Sequence, residues 1–382
     1  VIPPRLAAID VARAVALLGM MAVHILSPGP GLGGTVHELA GGRSAALFAV
    51  IAGVGLALGS GGADPDPERL PQARRAIAIR AGLIGAIGLT VSLVHTPAAV
   101  ILVYYAVLFL LALPVLGWPA RRLALLAAVW TLVSPVLSQL IRGSWTRPGP
   151  GSNLTWLDLA DPVRTVELVL LTGYYPVLTW GSYLFAGLAV GRLALNRPVV
   201  ARWLVLAGAG VAAAGWGLGL LCVRWAGGVA ALNQALPEGS YLSERGSGLL
   251  HDSFFGTTPT TSWWWLGVTA PHSGAIPDLL HTTGVAVLVI GLMLLLVPHT
   301  GPWLRPLAAA GSMTLTLYCL HVIALGLFES AGDPLAPGAL LLVNVVLAVA
   351  VAVSWGAPDR RGPLEELIAA TIRRQAAARE RS

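Results

Sequence analysis

Ala8-Ile9-Asp10-Val11-Ala12-Arg13-Ala14-Val15-Ala16-Leu17-Leu18-Gly19-Met20-Met21-Ala22-Val23-His24-Ile25-Leu26-Ser27 carries just three ionisable side chains, Asp10, Arg13 and His24. A helix needs about 20 mostly apolar residues to cross a hydrocarbon core of about 30 Å, so this stretch reads as a membrane span. Comparable stretches follow at 44–60, 77–95, 97–117, 122–141, 176–195, 202–223, 276–297, 306–328 and 338–356. Together they predict an all-α, polytopic integral membrane helical bundle of ten transmembrane helices. Segment 166–173 is apolar but short, and would make eleven if it inserts. Pro114, Pro135 and Pro176 fall near expected helix ends or kinks.

Composition supports that reading. With glycine counted and tyrosine set aside, about 66% of the 382 residues are apolar, against about 45–50% in soluble domains. Charged residues make up 11%, too few to cover a water-soluble surface, where about 25% is usual. Disorder is excluded on the same grounds. A single domain over 1–382 is expected, since a lipid-solvated bundle is not bound by the size limits of soluble cores. Cys222 and Cys319 lie inside apolar runs and give no disulfide or metal spacing. The ionisable residues of the first run argue against the short, uninterrupted apolar core of a cleavable signal peptide. This run is expected to be retained.

The net charge of +6 comes from arginine without lysine. The arginines are dispersed and not gathered into a tract that would grip nucleic acid. Cytoplasmic loops retain positive charge, and one topology satisfies that rule, with both termini in the cytoplasm. The inner side then receives Arg5, Arg69, Arg74, Arg75, Arg80, Arg121, Arg122, Arg192, Arg197, Arg202, Arg305 and the tail at 358–382. The long loops 142–165 and 224–273 are extracytoplasmic. The second holds Trp263, Trp264 and Trp265, which read either as an interfacial belt or as a platform for stacking a ligand.

Polar groups inside spans line cavities or pair with one another. Asp10 and Arg13 are three apart, neighbours on one helix face and a natural ion pair. His24 lies near the outer end of the first span, and His37 follows in the short connection beside Glu38, Gly41, Gly42 and Arg43. Two histidines at one membrane face suit general-base chemistry. His95, the pairs Tyr104-Tyr105 and Tyr174-Tyr175, and Pro271-His272-Ser273-Gly274 with Asp278 and His281 fall at the same level. His321, within the ninth span, reads as a satisfied buried histidine. No His-Glu-x-x-His spacing and no phosphate-binding glycine loop is present, so no metal is expected.

The opening Arg5-Leu6-Ala7-Ala8-Ile9-Asp10-Val11-Ala12-Arg13, closing on Met20-Met21-Ala22-Val23-His24, resembles transmembrane acyltransferases related to heparan-alpha-glucosaminide N-acetyltransferase. His37 and Phe48-Ala49-Val50-Ile51-Ala52-Gly53 occupy the places of the family's loop histidine and second-span run. Val100 to Leu108, Trp180 to Arg192 and Arg361-Gly362-Pro363-Leu364-Glu365 are similar to bacterial relatives, the last to proteins known as a domain of unknown function. Ala14 stands where Gly is usual, and His24 where the eukaryotic enzymes usually have Asn.

The resemblance implies an acyltransferase of the bacterial cytoplasmic membrane. Acetyl would pass from cytoplasmic acetyl-CoA to an extracytoplasmic carbohydrate or glycoconjugate acceptor, at a sugar amine or hydroxyl. His37 would be the catalytic histidine, with His24 and Arg43 orienting it or stabilising the oxyanion. Asp10, Arg13, Tyr104 and Tyr105 are the candidates for binding CoA, and Trp263, Trp264, His272 and His281 for the acceptor. Membrane lipids and a second copy in a homodimer are the other expected partners, and nucleic acid is not one. The competing reading is a transporter or permease of a lipid-linked or small polar substrate; a third is a membrane partner that has lost catalysis.

Overall fold

The computed structural model describes residues 6–144, 152–235, 254–332, 335–356 and 360–380. Its helices are α1 (Ala7–Ile25), α2 (Leu32–Ala40), α3 (Arg43–Gly59), α4 (Leu70–Val91), α5 (Leu102–Ala112), α6 (Ala120–Arg142), α7 (Pro162–Glu167), α8 (Val177–Gly191), α9 (Pro198–Leu220), α10 (Gly228–Ala235), α11 (Ile276–Leu296), α12 (Arg305–Ser312), α13 (Thr314–Ser330), α14 (Pro337–Ser354) and α15 (Pro363–Glu380). No strand occurs among the described residues.

Burial separates the centre of the bundle from its rim. The α1 span and the segment formed by α2 and α3 are each 61% buried, whereas α14 is 22% and the α6 span 33% buried. The exposed positions of the rim helices are apolar: Leu125, Leu132 and Leu140 on α6, Trp203 and Leu206 on α9, Leu342 and Leu347 on α14. Such faces are favourable against lipid and costly against water, so the chain is an integral membrane protein.

Among the described residues, six helices are long and apolar enough to cross a membrane, or seven if the pair Gly301–Ser312 and Thr314–Ser330, bent by 72°, is one span. The expected ten or eleven are not confirmed by length and composition, and four of the expected spans differ from the six for identifiable reasons. Of the ten, 97–117 shortens to an apolar helix over Leu102–Val115 and 176–195 to Val177–Gly191. The N-terminal half of α4 carries Arg74, Arg75 and Arg80, which shorten its apolar stretch. At 306–328 the helix breaks at Met313 (φ −130°, ψ 41°). Segment 166–173 falls in the six residues of α7 and five of π-helix, about 16 Å at 1.5 Å per residue, half of what a crossing needs.

Close packing comes from glycine. A Cβ on Gly208 of α9 would sit 2.4 Å from the Leu288 nitrogen, and one on Gly284 of α11 would sit 2.2 Å from the Ala212 nitrogen. These two helices meet backbone to backbone, as small residues allow in membranes. Gly53 of α3 and Gly187 of α8 do the same, since a Cβ on either would fall against a carbonyl oxygen of the other helix, Leu184 and Val50 respectively.

One polar strut holds an end of the bundle. Arg192 is 4% exposed, and its guanidinium donates to the carbonyls of Ala57 (2.8 Å), Gly62 (2.7 Å) and Leu116, and to the Ser60 hydroxyl (2.8 Å). These acceptors lie at or just past the C-terminal ends of α3 and α5, where carbonyls lack helical partners and the helix dipole is negative. On sequence Arg192 served just to mark the inner side; it is also a three-helix tie.

Candidate active site

The C-terminal end of α1 meets the α2–α3 junction and the loop before α11. The glycine pair makes this corner: Gly42 takes φ 68°, and a Cβ there would lie 3.1 Å from the Pro271 Cβ. A cavity of about 20 Å³ remains, walled by Met20, His24, Ala40, Gly42, Ser44, Tyr175 and His272 among others. That is room for one water.

His24 is held by a chain of hydrogen bonds whose direction can be worked out. Asn344 of α14 donates its amide to the Leu340 carbonyl (2.9 Å), which leaves its Oδ1 to accept. That oxygen lies 3.0 Å from His321 Nδ1, so His321 is protonated there. The neutral His321 ring then accepts at Nε2, 3.2 Å from His24 Nδ1. His24 is therefore the donor at Nδ1, with its Nε2 lone pair unused on a ring that lines the cavity. The two rings lie 10° from parallel.

His37 was expected in a loop; it lies instead in the last turn of α2, half-buried. Its Nδ1 is 2.7 Å from the Leu26 carbonyl. A carbonyl accepts, so Nδ1 carries the proton and Nε2 the lone pair, the form a general base requires. Ala40, one turn further along α2, walls the cavity.

Arg43 opens α3. It donates Nε–H to His281 Nε2 (3.1 Å) and an Nη1 proton to the Glu38 carbonyl (2.7 Å). His281 in turn donates Nδ1–H to the Ala212 carbonyl (3.0 Å), a neutral ring that fixes the guanidinium. Asp278 lies in the first turn of α11 and accepts from the Gly274 amide (3.1 Å) and Ser273 hydroxyl (3.2 Å), which ties the preceding loop to that turn, where the helix dipole favours a carboxylate.

His272 takes φ 57°, the one non-glycine residue with positive φ among the described residues. Such backbone costs of order 1–3 kcal/mol and concentrates at functional sites. Its ring stacks on Trp180 at 12° and meets Tyr175 edge-on. Burial lowers its pKa to about 4.

The structure thus brings His24 and His272 to one cavity, with His37 and Arg43 on the helices flanking its α2–α3 wall. The other candidates are scattered. Asp10 pairs with Arg13 at 2.9 Å at the opposite end of α1. Tyr104 and Tyr105 are buried core residues of α5: the Tyr104 hydroxyl accepts from the Tyr174 amide at 3.2 Å, and Tyr105 stacks on Phe48 and Phe109. The four CoA candidates do not form one site. Trp263 and Trp264 line a separate apolar groove of about 360 Å³ with Leu218 and Cys222, while Trp265 is fully buried. His95 is exposed. Asn344 was missed, although an amide within an apolar span is costly unless bonded and so marked itself.

A family model described as "Heparan-alpha-glucosaminide N-acetyltransferase, catalytic" matches residues 5–216. A second, described as "Protein of unknown function (DUF418)", matches residues 253–374. A comparison with curated proteins finds no match.

Proposed function

The chain belongs to the heparan-alpha-glucosaminide N-acetyltransferase catalytic family, and from that premise we propose that it moves an acetyl group from cytoplasmic acetyl-CoA to an extracytoplasmic acceptor, a sugar amine or hydroxyl. The observation that carries this reading is the tautomer of His37. With Nδ1–H given to the Leu26 carbonyl, Nε2 is free to take the acceptor's proton or the acetyl group itself.

In direct transfer the acceptor nitrogen or oxygen bonds to the acetyl carbon, the carbon–sulfur bond breaks, and the proton reaches the CoA sulfur through His37. In the two-step route Nε2 of His37 forms the first bond to the acetyl carbon and releases CoA. Arg43, fixed by His281 and Glu38, is placed to stabilise the oxyanion of either route. At the other end of α1, Arg80 lies within electrostatic reach of both Arg13 and Arg361, a grouping suited to the phosphates of CoA. Arg13 and His24 are eleven residues apart, about 16 Å along the helix, a gap that the pantetheine arm would bridge.

Purified protein in detergent with radiolabelled acetyl-CoA and glucosamine tests the proposal. Label in the sugar with the wild type and its loss with His37→Ala are expected. Equal labelling by a well-folded His37→Ala removes His37 from the chemistry, and no labelling of any amine or hydroxyl acceptor by the wild type removes the acetyl-transfer reading. Label retained on the protein without acceptor selects the two-step route.

A further inference from the structure

We propose that in the two-step route, where His37 carries the acetyl group, His24 takes the acceptor's proton, with His321 and Asn344 as its positioning residues. The inference rests on the acetyl-transfer reading and assigns a job within it that the matched catalytic segment cannot complete alone. His24 lies within residues 5–216, whereas His321 and Asn344 lie within 253–374, the segment of unknown function.

The geometry leaves His24 little choice of state. The chain begins on the Leu340 carbonyl, which can just accept, and each hydrogen bond after it fixes the direction of the next. It ends with Nδ1–H of His24 donated and Nε2 without a hydrogen-bond partner among the described residues, on a side chain that walls the cavity. A half-buried imidazole oriented by a second imidazole and an amide oxygen has the arrangement of a base whose tautomer is set by a third group. The titratable groups facing it are His321 from α13, His272 from the loop before α11 and Tyr175 before α8; the Ser44 hydroxyl of α3 completes the polar wall.

In the transfer step the acceptor nitrogen or oxygen bonds to the acetyl carbon. The bond from that carbon to His37 Nε2 breaks and leaves its electron pair on that nitrogen. The acceptor's proton moves to His24 Nε2. Nδ1–H of His24 then points at the His321 lone pair, and the positive charge is shared along the chain toward the Asn344 oxygen dipole.

The test compares pH–rate profiles of acetyl transfer for the wild type, Asn344→Asp and Asn344→Leu, each with its melting temperature. A carboxylate at 344 favours the protonated histidine pair, so the acidic limb is expected at higher pH with turnover within about tenfold. Leucine removes the acceptor, and the limb is expected at lower pH with a loss of about 10²-fold, within the range of a lost general base. Coincident limbs in all three folded proteins overturn the inference, as does wild-type turnover by His24→Ala. A readout independent of turnover is the nitrogen-15 spectrum of histidine-labelled protein. His24 protonated at Nδ1 in the wild type, and disturbed by Asn344→Leu, supports the chain, whereas His24 protonated at Nε2 sinks it. Should the wild type transfer no acetyl at all, the acetyl reading fails and these spectra still judge the chain.

Discussion

At the scale of single residues, an imidazole is informative where its partner can act in one way alone. His37 faces a carbonyl, and this defines both its proton and its lone pair. Removing the ring is expected to cost about 10²–10⁴-fold in turnover and, for one lost hydrogen bond at a half-buried position, about 1 kcal/mol of stability. Melting temperature and acetyl transfer measured together separate the two effects. His272 gives a pH signature instead. Its pKa is about 4 in the folded protein and about 6.5 in an unfolded chain. Above pH 7 both states are neutral; between about pH 6.5 and 4 the unfolded chain alone binds the proton, so stability falls as pH falls. Asparagine tolerates the left-handed backbone, and His272→Asn is expected to keep the fold and flatten the dependence of melting temperature on pH across that window. An unchanged slope would remove His272 as its source.

At the scale of elements, Arg192 shows how a few hydrogen bonds set the position of three helices. Lysine keeps the charge but not the planar fork that reaches four acceptors. Arg192→Lys is expected to destabilise the protein by about 1–3 kcal/mol, and Arg192→Leu by more, since buried acceptors lose their donor outright; a detergent melt comparing the variants checks the order. The existence of most helices was legible, because a run of apolar residues long enough to span has few other uses. Their ends were less so. Met313 breaks the penultimate stretch without a proline or glycine of its own, and the short connection between His24 and Arg43 hides the nine-residue α2. The corner formed by His24, Gly42 and His272 joins residues more than 200 positions apart, which no local pattern encodes. What sequence did expose was the cost of polar groups in lipid: each buried His or Asn had to have a partner, though not which one.

At the scale of the whole molecule, the arginine grouping around Arg80 and the histidine cavity lie at opposite ends of α1. Asp10, Arg13, Arg80 and Arg361 share one end, where Arg192 ties Gly62 and Leu116 and Glu365 of α15 accepts from the amides of Leu315 and Thr316 at the start of α13. His24, His37, Arg43 and His272 occupy the other. From the distribution of arginine we propose that the Arg80 end is cytoplasmic, since positive segments resist translocation. The expected orientation puts the Asp64 loop and α15 inside and the 142–165 loop outside. With Cys222 and Cys319 replaced by alanine or serine, single cysteines at Asp64 and Ala376 should resist a membrane-impermeant thiol reagent in sealed cells, and one at the exposed Leu157 should react. Permeabilised cells, in which all three must label, show that each cysteine is reachable. The reverse pattern would place the histidine cavity on the cytoplasmic side, and acetyl transfer would then need no passage across the membrane.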